Sequence, residues 1–161
     1  MLAPQVFNPQ LSPNFDLARL IASDTARERG IDNQPAPEHL PQLRQLAAAL
    51  EELQALLGAP LTITSAYRSP QLNAVVGGVP HSRHALGLAA DFVCPAFGPP
   101  LLVAQAIAAS SIVFDQVIHE FGRWVHFGLA PAGESPRRQL LTIRASAEGY
   151  LDGLHPCAPK T

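Results

Sequence analysis

The hydrophobic period of this chain changes at Gly58, and the change limits what the chain can fold into. Before it, Leu43, Leu46, Leu50, Leu53 and Leu57 recur at helical spacing. A helix over about 38–57 therefore buries one leucine face and stops at the glycine. After it, Leu61-Thr62-Ile63-Thr64-Ser65-Ala66-Tyr67 alternates and is β-branched, the pattern of a half-buried strand. An earlier helix is expected over about 16–29, capped by Asn14-Phe15-Asp16, striped by Leu17, Leu20, Ile21 and Ala26, and ended by Gly30. Residues 1–13, rich in Pro, Asn and Gln, read as an extended arm.

Beyond Tyr67 the chain alternates short elements with fixed connections, as its sixteen prolines suggest. Pro70 opens a short helix through Val75, and Gly77-Gly78-Val79-Pro80 is a loop. Strands are expected over 89–93, 112–120, 124–129 and 138–144, a helix over 101–109, and a loose tail from Tyr150. Helices first and mostly antiparallel strands later make the class α+β, with N-terminal helices packed on a central sheet. The 161 residues read as one domain with its core over about 14–144, long enough to fold without staples.

Composition removes several functions. A formal charge of -2 and the lack of a basic stretch give no handle for nucleic acid. No run is long enough to span a membrane, and the first residues lack the basic and apolar regions of a signal peptide. The expectation is synthesis in the cytoplasm, with any export depending on another factor. Cys94 and Cys157 are far apart and read as two free thiols, although a bridge between them is open.

Ser82-Arg83-His84-Ala85-Leu86-Gly87-Leu88-Ala89-Ala90-Asp91, followed by Trp124-Val125-His126, carries the chemistry. Two imidazoles and one carboxylate fill three positions of a tetrahedral zinc site and leave the fourth to water, the pattern of a catalytic centre. The same donors also suit Fe²⁺, Co²⁺ or Ni²⁺. Hydrolysis needs a base, and Glu120 is the candidate. If Phe121-Gly122-Arg123 is a three-residue turn, Glu120 pairs with Trp124 and shares a face with His126. Arg68, at the end of the first strand, is positioned to hold a substrate carboxylate or an oxyanion. Asp115 is a candidate to orient a ligand histidine through its second ring nitrogen. His81, His119 and His155 are assigned no role, His119 facing away from Glu120; Tyr67 and Trp124 read as core or pocket wall.

These residues resemble the zinc D-Ala-D-Ala carboxypeptidase family of peptidoglycan peptidases, whose relatives include phage endolysins, vancomycin-resistance dipeptidases and the hedgehog signalling domain. The Ser-x-His-x-x-Gly-x-Ala-x-Asp string and Trp124-x-His126 carry the likeness. It is strongest to the small phage- or prophage-borne branch, through Ile31-Asp32-Asn33-Gln34-Pro35, Ser65-Ala66-Tyr67-Arg68-Ser69, Leu72-Asn73, Gly77-Gly78 and Phe114-Asp115-Gln116. It spans roughly residues 14–144. The resemblance implies one zinc per chain on His84, Asp91 and His126, with Glu120 as general base and Arg68 and Ser82 at the substrate. Arg123 stands where other members carry an acid, Ala66 where glycine is usual and Arg83 where glutamine is common.

The expected function is hydrolysis of an amide bond in peptidoglycan stem peptides, by a carboxypeptidase or an endolysin-type endopeptidase. The protein would act on the cell wall after release, or as part of a virion. The alternative is a non-catalytic, zinc-containing wall-binding or virion module, since hedgehog relatives carry zinc without evident peptidase work.

Overall fold

The computed structural model describes residues 6–157. A short antiparallel pair, β1 (Gln10–Ser12) and β2 (Phe15–Asp16), leads into α1 (Leu17–Ile21). Asp16 caps α1 by accepting from the Arg19 amide at 2.9 Å. The single helix expected over 16–29 is broken after Ile21. The carbonyls of Leu20 and Ile21 are taken by the Tyr67 amide (2.8 Å) and the Asn33 side chain (2.7 Å). Ser23 then caps a new helix, α2 (Asp24–Arg29), which ends at Gly30 in the left-handed conformation. The first and last few residues of the expected arm and tail, 1–5 and 158–161, lie outside the described residues.

A 3-10 turn at Pro37–His39 feeds α3 (Leu40–Leu57), closed by Gly58 with φ of 62°. The predicted leucines Leu43, Leu46, Leu50 and Leu53 are fully buried. Next come β3 (Thr62–Ser65), α4 (Pro70–Val75), a 3-10 turn at Arg83–Leu86, β4 (Ala89–Val93) and α5 (Pro100–Ala108). Four strands follow: β5 (Gln116–Glu120), β6 (Trp124–Gly128), β7 (Gln139–Ile143) and β8 (Tyr150–Asp152).

The long sheet has the order β3-β4-β6-β5-β7-β8, antiparallel except where β7 runs parallel to β5. This is the α+β class read from the sequence. Side chains alternate between faces with period two, and the two faces differ in kind. Ala90, Phe92, Val117, Val125 and Phe127 join the buried leucines of α3 and Val103, Ala104 and Ile107 of α5 in one core. The opposite face carries Asp91, Ile118, Glu120, Trp124 and His126, and this face is the floor of a cleft.

One strand expectation and the expectation of a loose tail need correction. The segment 112–115 is not strand, because the Arg138 guanidinium takes the carbonyls of Ala108, Ser110 and Ile112; sheet bonding begins where the Asp115 amide donates to Gly128. The chain after Tyr150 is not a loose tail through residue 157. Beyond β8, Thr142 Oγ1 donates to the Gly153 carbonyl and accepts from the His155 amide (2.8 and 2.9 Å). Buried His119 then donates to the His155 carbonyl at 2.9 Å. Cys94 and Cys157 are both free thiols. Among the described residues no helix is long and apolar enough to cross a membrane.

Candidate metal centre

Three different pieces of chain deliver His84, Asp91 and His126 to one point. Asp91 lies in β4 directly opposite His126 in β6, so sheet register alone puts the two side chains on one face. His84 arrives on the 3-10 turn, whose start is fixed by Ser82: the Ser82 hydroxyl accepts from the His84 amide at 3.2 Å. Gly87 closes that turn with φ of 74°, and a Cβ there would stand 3.0 Å from Leu43 Cγ. Only glycine meets both demands, and the turn can therefore sit down on α3.

The ligand atoms of the three side chains lie within 4.8 Å of one another, and all three residues are buried. His84 Nδ1 is 2.7 Å from the Ala66 carbonyl. A carbonyl only accepts, so Nδ1 carries the proton and neutral His84 turns the Nε2 lone pair inward. That Nε2 is 3.3 Å from Asp91 Oδ1, which also lies 2.9 Å from His126 Nδ1. The other carboxylate oxygen, Oδ2, accepts from Arg68 Nη2 at 3.1 Å.

The charge states follow from this packing. Burial lowers the His84 pKa, and the neighbouring Asp91 charge does not fully restore it. Burial would raise the Asp91 pKa, but the hydrogen bond and charge of the neighbouring His126 help to hold the carboxyl well below the usual range. His126 is raised: burial acts downward, and its hydrogen bond to Asp91 and that carboxylate's charge act upward and prevail. A neutral Nε2 facing a carboxylate oxygen at 3.3 Å brings two lone pairs together, an arrangement that asks for a cation between them. Two imidazole nitrogens and one carboxylate oxygen fit a zinc-type ion.

The cluster forms part of a cleft of about 700 Å³ that also takes in Arg68, Ser82, Glu120, Trp124 and Tyr150. Glu120 pairs with Trp124 across the turn, the register that a three-residue connection requires. Phe121 and Gly122 hold positive φ (57° and 67°), and the Arg123 amide donates to the Glu120 carbonyl at 2.9 Å. Glu120 Oε2 accepts from the Trp124 indole N–H, also at 2.9 Å. Burial, and then the Asp91 charge, push the Glu120 pKa upward. Arg123 does not line this cleft. It lines a neighbouring cavity of about 540 Å³ on the other side of Phe121 and Trp124, so of the two residues Glu120 is the one that faces the cluster.

Asp115 does not meet a histidine. Its side chain accepts from the backbone amide, Nε and Nη2 of Arg137 at 3.0, 3.1 and 2.8 Å. The second ring nitrogen of His84 is held instead by the Ala66 carbonyl, and His126 Nδ1 meets Asp91 within the cluster itself. His119 faces the core side, away from Glu120, and His81 lines the cleft rim. Arg137 and Tyr150 of the cleft were not foreseen; only the long-range pairing of β7 with β5 and β8 brings them there.

A search of curated proteins finds no match to the chain. The family model described as Peptidase M15 matches residues 13–128, well over half of the chain and a stretch containing the whole His84–Asp91–His126 cluster. The chain belongs to the peptidase M15 family.

Proposed function

We propose that this chain is a zinc-dependent peptidase that hydrolyses an amide bond in peptidoglycan stem peptides. One observation carries the reading: the metal-type cluster, a carboxylate with a raised pKa and an arginine share one open cleft on one face of the sheet. His84, Asp91 and His126 would hold one zinc ion. Zinc held there supplies Lewis acidity, which polarises a carbonyl and brings the pKa of water down to about 7.

The remaining roles fall to the chain's own groups. Glu120 takes the proton of the attacking water on a carboxylate oxygen and returns it to the departing amine nitrogen. The Trp124 indole holds one Glu120 oxygen, so the other is free for the proton. Arg68 is fixed by Ser65 Oγ at 3.0 Å through Nε and by Asp91 through Nη2. Its Nη1 has no partner among the described residues and is available to a substrate carboxylate or a developing oxyanion. Ser82 acts chiefly by fixing the turn that bears His84. A substrate of this kind means that the protein works at the cell wall, after release or as a virion component.

The test is incubation of zinc-loaded protein with purified peptidoglycan and defined stem peptides, with products identified by mass spectrometry and Glu120→Ala run alongside. A product released by the wild type alone upholds the reading and names the bond. No product from any wall type, with one tightly bound zinc, favours a binding or structural module instead.

A further inference from the structure

The buried carboxylate of Asp115 is spent on an arginine that lines the metal cleft and lies beyond the stretch matched by the family model. The Asp115 side chain is 3% exposed, whereas that of Arg137 is 54% exposed. Asp115 grips the Nε–Nη2 edge of Arg137 and its backbone amide, and Arg83 Nη2 approaches the same carboxylate at 3.8 Å. The end-on fork of Arg137, Nη1 with the second hydrogen of Nη2, has no partner among the described residues. That fork matches a carboxylate in two parallel hydrogen bonds. Because Asp115 already fixes the guanidinium, little freedom is lost when an anion binds.

Sheet order sets where the anion would lie. Arg68 follows β3 and Arg137 precedes β7, and the strands bearing Asp91 and His126 lie between them. The two arginines flank the metal cluster, so a peptide reaching both crosses it. We propose that Arg137 is a substrate-binding residue that takes a carboxylate of the peptide on the opposite side of the scissile amide from the group held by Arg68. The inference rests on the peptidase reading and gives it a selectivity: acidic peptides over their amidated counterparts.

The experiment uses zinc-loaded full-length protein and a stem peptide set in which each carboxylate is amidated in turn. In the wild type, one amidation lowers kcat/KM about tenfold or more, the scale of a charge-assisted hydrogen bond. In Arg137→Gln the ratio for that pair falls to about one, and Arg137→Lys, which keeps charge but loses the fork, gives an intermediate ratio. Thermal melts of each variant separate this from a folding defect, since a defect lowers both rates and leaves the ratio alone. A wild type indifferent to every amidation, or a ratio unchanged in Arg137→Gln, overturns the proposal. If no peptide is cut, the peptidase reading fails on its own, and the same set is titrated by calorimetry. There the affinity ratio decides in the same way.

Discussion

Replacing Glu120 by Gln isolates the proton-transfer role proposed for it in an otherwise little-changed site. The Trp124 indole donates to Glu120 Oε2 at 2.9 Å, and a glutamine oxygen can still accept that bond. The change is isosteric and leaves β5 and β6 in register, so the cost to folding is small. What is lost is the ability to accept a proton at neutral pH. General acid–base groups contribute about 10²–10⁴-fold, or about 3–5 kcal/mol of barrier. The expected result is a kcat lower by that factor, a kcat/KM lower by the same factor, and full zinc stoichiometry. Trp124 is the one tryptophan of the chain, so its fluorescence also reports the ionisation of its partner. In metal-free protein the wild type should show a fluorescence transition with a midpoint above the ordinary glutamate range, because burial and Asp91 raise that pKa. The variant should lack it. Turnover within a few-fold of wild type in zinc-replete Glu120→Gln refutes the assignment, and a transition that survives the substitution refutes the link to Trp124.

Three other expectations follow from the same geometry. His84→Ala removes an inward-facing imidazole and should lose the metal, read as zinc per chain after dialysis; a full equivalent retained takes His84 out of the ligand set. Leu50→Ala opens a cavity among fully buried leucines of α3 and should lower stability by about 2–5 kcal/mol in denaturant melts; a loss under 1 kcal/mol contradicts the packing. Asp115 has its pKa lowered, chiefly by its hydrogen bond to Arg137. Its contribution is therefore present above the unfolded-state aspartate pKa, about 3.9, and is lost as pH falls through the lower folded value. With the discount for a half-exposed Arg137, that contribution is about 1–2 kcal/mol. Asp115→Asn should flatten the acid limb of the stability–pH curve, and an unchanged limb counts against the pair.

The features legible in the order of residues are those that depend on near neighbours in the chain. The leucine spacing of α3 and its glycine stop are local, since helix period and termination need only a few adjacent residues. The Glu120–Trp124 pairing was also legible, because turn length alone fixes hairpin register. The order of His84, Asp91 and His126 pointed to metal chemistry through its residue types. Nothing in that order gave the 2.7 Å bond that makes the Ala66 carbonyl set the His84 tautomer. The tertiary structure decided which groups distant in sequence meet. It broke the first helix because Tyr67 and Asn33 claimed its last carbonyls, and it turned the supposed tail into an edge strand because buried Thr142 and His119 needed partners. It gave Asp115 to Arg137 and not to a histidine, because the parallel pairing of β7 with β5 brings residue 137 beside residue 115. Hydrogen-bond donors and acceptors of one type are interchangeable in sequence, and only the long-range register of the sheet selects among them.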